Sequence, residues 1–86
     1  MIIEPPDLYR HVYSIPGRSQ RIHIAAEGWE EALELLEQHV RENADIFPPW
    51  PEWKRPHSLA TYRIYEPRNK GFMMLEWERP QSRAPY

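Results

Sequence analysis

Four histidines, a row of glutamates and two tryptophans three residues apart are the side chains of this 86-residue chain with the best claim to chemistry or recognition. A metal site needs ligands at short spacing, such as i, i+4 on a helix with carboxylate support. No pair among His11, His23, His39 and His57 is closer than twelve residues. His11 and His23 fall on neighbouring predicted strands, where they could face each other across a hairpin, and otherwise read as ordinary surface histidines. The absence of cysteine removes thiolate nucleophiles, thiolate metal sites and disulfides. No serine sits in a Gly-x-Ser-x-Gly turn. Three glycines are too few for a Gly-rich phosphate loop. A carboxylate pair for acid–base work could be drawn from Glu66, Glu76 and Glu78. However, Glu76 and Glu78 are two apart on one strand and read as the solvated side of a sheet. The sequence therefore nominates no catalytic, cofactor or metal-ligating residue, and the expectation is a non-enzyme.

Recognition has more to build on. Residues 44–58, Ala-Asp-Ile-Phe-Pro-Pro-Trp-Pro-Glu-Trp-Lys-Arg-Pro-His-Ser, hold four prolines and three large aromatics. Proline fixes φ and removes a backbone donor, so this segment is expected to be a stiff, non-regular apolar loop. Ile46, Phe47 and one Trp are expected to cap the core, with one Trp inward and one at least partly exposed. The spacing of Trp50 and Trp53 suggests a polyproline-type turn with both on one side. Trp50, Trp53 and Arg55 would make a compact contact site, because Trp and Arg dominate binding hot spots. A second candidate is the acidic helix face, where Glu30, Glu34 and Glu37 form one row with Glu31 beside it. A third is the first hairpin, where Arg10, Tyr13, Arg18 and Arg21, with His11 and His23, combine cations and aromatics as single-strand nucleic-acid sheets do. The net charge of -2 and pI of about 6.1 oppose that last reading.

These residues need elements to position them. Residues 8–26 alternate as two strands joined by Pro16-Gly17, which suit the central positions of a type II turn. Ile22, Ile24 and Ala26 should face inward. Trp29, Ala32, Leu33, Leu36 and Val40 form an apolar stripe of period 3.6, which predicts a helix over 28–43 with carboxylates in its first turn. Residues 59–79 read as a second hairpin, turning at Pro67 to Gly71, with Ala60, Tyr62 and Ile64 on one strand face and Met73, Leu75 and Trp77 on the other strand's. Residues 1–7 read as an extended arm and 80–86 as a tail. The order is ββαββ: an α+β fold with a four-stranded antiparallel sheet of two hairpins, one amphipathic helix across a face, and the long Pro/Trp loop.

Composition sets the bounds. An apolar fraction of 41 % with 13 % aromatics predicts one folded domain rather than disorder. No stretch approaches the ~20 apolar residues of a membrane span. The N-terminus shows no basic region followed by a cleavable apolar run, so a cytoplasmic location is expected. Charge is segregated: Arg10, Arg18 and Arg21 without an acid over 8–26, then six glutamates against Arg41 over 27–42. The expected function is a non-catalytic protein-binding regulator or inhibitor, with a protein partner that offers a basic, nucleic-acid-binding type of surface. In form it resembles phage and mobile-element proteins that block a host complex, such as anti-CRISPR and immunity proteins. A nucleic-acid-binding module using the first hairpin is the alternative.

Overall fold

The computed structural model describes residues 7–64 and 69–77. Strands β1 (Leu8–Ser14) and β2 (Gln20–Ala26) are followed by helix α1 (Trp29–Glu42). A 3₁₀ turn (Trp50–Trp53) then precedes strands β3 (Ser58–Ile64) and β4 (Gly71–Trp77). Residues 1–6 of the expected arm, positions 65–68 and 78–79 of the expected second hairpin, and the tail 80–86 lie outside the described residues.

The β1–β2 connection is the tight turn its residues specify. The Arg18 N–H donates to the Ile15 carbonyl at 3.1 Å, and Gly17 sits at φ +71°, where a residue with a Cβ would be strained. Antiparallel pairing places Tyr13 opposite Ile22 and His11 opposite Ile24.

The sheet is antiparallel throughout, in the order β3-β1-β2-β4. This corrects one expectation. β3 and β4 do not form a hairpin with each other; β3 adds outside β1, and β4 adds outside β2. A turn-forming sequence shows that a chain reverses, not which neighbour it then pairs with. Seven residue steps from Ile64 to Gly71 can span about 23 Å extended, against roughly 14 Å for three strand spacings. Gly71 does adopt a positive φ of +122° at the start of β4.

Helix α1 covers one face of this sheet. Ala32, Leu36 and Val40 are buried against Tyr13, Ile22, Ile24 and Ala26, with Phe47 and Trp53 of the loop closing the core. Trp29 departs from the predicted stripe and is 62 % exposed. It shares the stripe's angular position but stands at the first helical residue, where its ring forms a groove wall instead of core. Gly28 offers no side-chain cap. Instead Glu31 reaches back to accept the Glu27 N–H at 3.0 Å, and Lys70 clamps Glu31 at 3.1 Å and Glu27 at 3.5 Å. The start of α1 is thereby tied to the residue preceding β4.

The register sends alternate residues to the opposite sheet face. There the Arg10 guanidinium lies 4.7 Å over the Tyr62 ring, and His23 Nε2 lies 2.7 Å from Glu76 Oε2. Glu76 is thus a partner of a buried imidazole and not simply a solvated carboxylate. His11 and His23 cannot face each other, because one points to the helix side and the other away from it. Both are buried, at 3 % and 2 % exposed, which corrects their reading as surface histidines. Met73 is the extra residue of a register shift between His23 and Ile24, so it does not alternate with Leu75 and Trp77 as expected.

Candidate functional site

Asn43 stops the helix. Its side-chain amide donates to the His39 carbonyl at 2.8 Å, and its own carbonyl accepts from Ile46 and Phe47 at 3.0 and 3.2 Å. That reversal drops Phe47 into the core, 5.4 Å from the His39 ring and 6.5 Å from Trp53. The guanidinium of Arg18, from the β1–β2 turn, holds the Ile46 carbonyl. Pro49 is extended, at φ −60° and ψ 146°. The chain then tightens into the 3₁₀ turn, where Glu52 N–H donates to the Pro49 carbonyl at 2.9 Å.

Three residues per turn make i and i+3 eclipse. The Trp50 and Trp53 rings therefore stack, with centroids 5.8 Å apart and planes 26° from parallel. The polyproline-type turn expected for this pair is a 3₁₀ turn instead. Trp53 is the inner ring, 4 % exposed, and its indole N–H donates to the Pro48 carbonyl at 3.0 Å. Its side chain is core, so it drops out of the contact set. Trp50 is the outer, half-buried ring. Lys54, at φ +54° and ψ −110°, turns the chain toward β3 with a backbone that strains any residue except glycine.

Between helix and loop these residues enclose a groove of about 670 Å³. Tyr13 lies beneath it. Trp29 and Leu33 form the helix wall, and Trp50 and Pro56 the loop wall. Glu34 and Glu37 line the helix bank, facing Lys54, Arg55 and His57 on the loop bank. Glu37 also pairs with Arg41 at 3.2 Å. Among the described residues, Glu34, Lys54 and Arg55 have no ion-pair partner.

The Tyr13 hydroxyl is buried with no hydrogen-bond partner among the described residues, and burial pushes its pKa up to about 12. It stays protonated at neutral pH. An unsatisfied buried hydroxyl is costly, so one carried by a residue that lines a groove is a place where a ligand acceptor would be rewarded.

The structure thus joins two of the sequence candidates. Trp50, Arg55, Glu34 and Glu37 share one groove. Glu30 is exposed but stands outside it, and Glu31 is occupied by the cap and Lys70. The hairpin set disperses: Arg10 and Arg21 lie on the sheet face away from α1, Arg18 braces the loop, and Tyr13 is under the helix. Sequence reasoning missed Trp29 as a groove residue, and Lys54, whose backbone conformation has no sequence signal; Leu33 packs against the core as the stripe predicts and also lines the groove.

Among the described residues no three His, Asp or Glu side chains converge as metal ligands would, and no helix is long and apolar enough to cross a membrane. Compared with known proteins, the chain matches no family model, no curated protein and no solved structure.

Proposed function

We propose that this chain is a non-catalytic protein-binding regulator or inhibitor, and that its contact site is the groove between α1 and the Pro/Trp loop. The observation that carries this reading is the convergence of Trp29, Trp50 and Arg55 with Glu34 around one apolar cleft. Trp and Arg supply most interface hot spots. A volume of about 670 Å³ falls within the range of specific binding clefts. The proline-framed loop also presents Trp50 in a fixed orientation, which lowers the ordering cost of binding.

Selection from a random linear-peptide display library against the purified chain tests this. The expected binders lose about tenfold or more in affinity on Trp50→Ala and on Trp29→Ala, as anchor truncations do, while each variant remains folded by thermal melt. Selected binders that tolerate both substitutions would place the contact elsewhere.

A further inference from the structure

We infer that the groove takes an extended, proline-bearing peptide segment in the polyproline II conformation, with an arginine directed at the helix bank. This deepens the protein-binding reading and rests on it. Three features point to this occupant and away from a helical or purely basic one.

The walls come first. Two indoles line it, Trp29 beside Leu33 on the helix wall and Trp50 beside Pro56 on the loop wall. Aromatic-lined grooves of this kind accept prolyl rings. A polyproline II segment enters with little conformational entropy left to lose.

The second feature is the Tyr13 hydroxyl, a donor with no acceptor among the described residues. A helical ligand spends its carbonyls on its own backbone ladder. A polyproline II segment has no internal hydrogen bonds and offers free carbonyls along its length. One of them would be the acceptor this phenol lacks, once the side chains that bury it give way.

The third feature is the charge of the two banks. Glu34 and Glu37 are one helical turn apart and face the groove, and Glu34 has no ion-pair partner among the described residues. A ligand guanidinium there would donate to the carboxylates in fork geometry and lie against the exposed Trp29 ring. The opposite bank, Lys54 and Arg55, repels a second cation. A densely basic segment is therefore disfavoured, and the arginine is oriented toward the helix. The same two cations would take a ligand acid or terminal carboxylate, which sets the polarity of the bound chain.

The test uses the full chain and three synthetic peptides of about ten residues. One has Pro-x-x-Pro spacing and a flanking arginine, the second replaces that arginine by glutamate, and the third is an amphipathic helix carrying the same arginine. Binding is read from the indole N–H resonances of Trp29 and Trp50 during titration. The first peptide should saturate both resonances. The glutamate version should bind about tenfold more weakly, as should the first peptide on Glu34→Arg. Tyr13→Phe should weaken it roughly threefold to tenfold, the worth of one hydrogen bond, without lowering the thermal midpoint. If the helical peptide binds as tightly as the proline peptide, or if Tyr13→Phe leaves affinity unchanged, the proposed occupant is wrong while the groove remains a contact site. If neither these peptides nor display-selected ones move the two indole resonances, the groove reading falls as well.

Discussion

Tyr13 shows how far a single side chain can be misplaced by local pattern. In the sequence it stands among Arg10, His11 and Arg18 and reads as part of a basic, aromatic surface. The pairing of Tyr13 with Ile22 puts it on the helix side, in the core cluster against which Leu33 and Trp50 pack, because β1 presents its odd-numbered residues to α1. β1 is mixed in polarity on both faces, so nothing in its own residues says which face is covered. The consequence is energetic as well as functional. A buried hydroxyl without a partner costs about 1–3 kcal/mol, so Tyr13→Phe should leave stability unchanged or raise it by about 1 kcal/mol in a denaturant titration. It should also abolish an alkaline effect. The folded-state pKa is raised from 10 to about 12, so the unfolded chain ionises first and stability drains away as pH climbs from 10 toward 12. The histidines act at the other end. Burial lowers the pKa of both His11 and His39 below 6.5. The unfolded chain then takes up protons that the folded chain resists, so the stability present above pH 6.5 is lost as pH falls through that value toward the folded pKa values. The thermal midpoint should drop between pH 7 and pH 5. Replacing His11 by Gln should flatten part of that drop; an undiminished drop in that variant would exclude His11 from it.

The helix was the element most fully readable in advance, since its 3.6-residue stripe names Ala32, Leu36 and Val40, all of which are buried. The Pro/Trp loop was readable in content but not in form. Its prolines exclude an α-helix, yet they permit the single 3₁₀ turn that eclipses Trp50 and Trp53 and sorts them into outer and inner rings. That sorting makes the pair a controlled comparison. Trp53→Ala should cost about 3–5 kcal/mol of stability, the range for a large aromatic lost from a core, and Trp50→Ala should cost less stability while removing groove affinity. Thermal melts and peptide titrations of the two variants check this. Equal destabilisation by both would mean that Trp50 is a core residue too. The strain at Lys54 is testable in the same element. Lys54→Gly should lie within about 1 kcal/mol of the parent or above it, because relief of the positive φ offsets the entropy of glycine. Lys54→Val, β-branched at φ +54°, should cost more. If Val is tolerated as well as Gly, the turn can relax and the groove rim is not held by it.

At the scale of the whole molecule, the strands announced themselves but their neighbours did not. Leu59–Ile64 and Phe72–Trp77 both form strands, the second with a bulge at Met73, yet their separation to opposite edges follows from which side of the β1–β2 hairpin each found, and no local residue encodes that. The outcome has a physical cost, because both late strands become sheet edges. Edge strands are usually blunted by charge, proline or shortness. β3 carries Arg63, but β4 is Gly-Phe-Met-Met-Leu-Glu-Trp, with Phe72 and Met74 each 43 % exposed and Trp77 67 % exposed. Its defences are one carboxylate, engaged with His23, and the bulge at Met73. Such an edge offers unpaired backbone groups together with apolar side chains, a combination that favours strand-to-strand association with another copy. The expectation is a weak, concentration-dependent self-association that Met74→Lys suppresses, since the substitution puts a cation on the exposed edge without touching the helix-side core. Sedimentation velocity of both proteins across a concentration series measures it. The position of β4 opposite the groove's sheet edge adds a second readout: if association runs through β4, proline-peptide affinity should be the same for parent and Met74→Lys. A parent chain that sediments as a monomer at every concentration would show that the bulge and Glu76 protect this edge sufficiently by themselves.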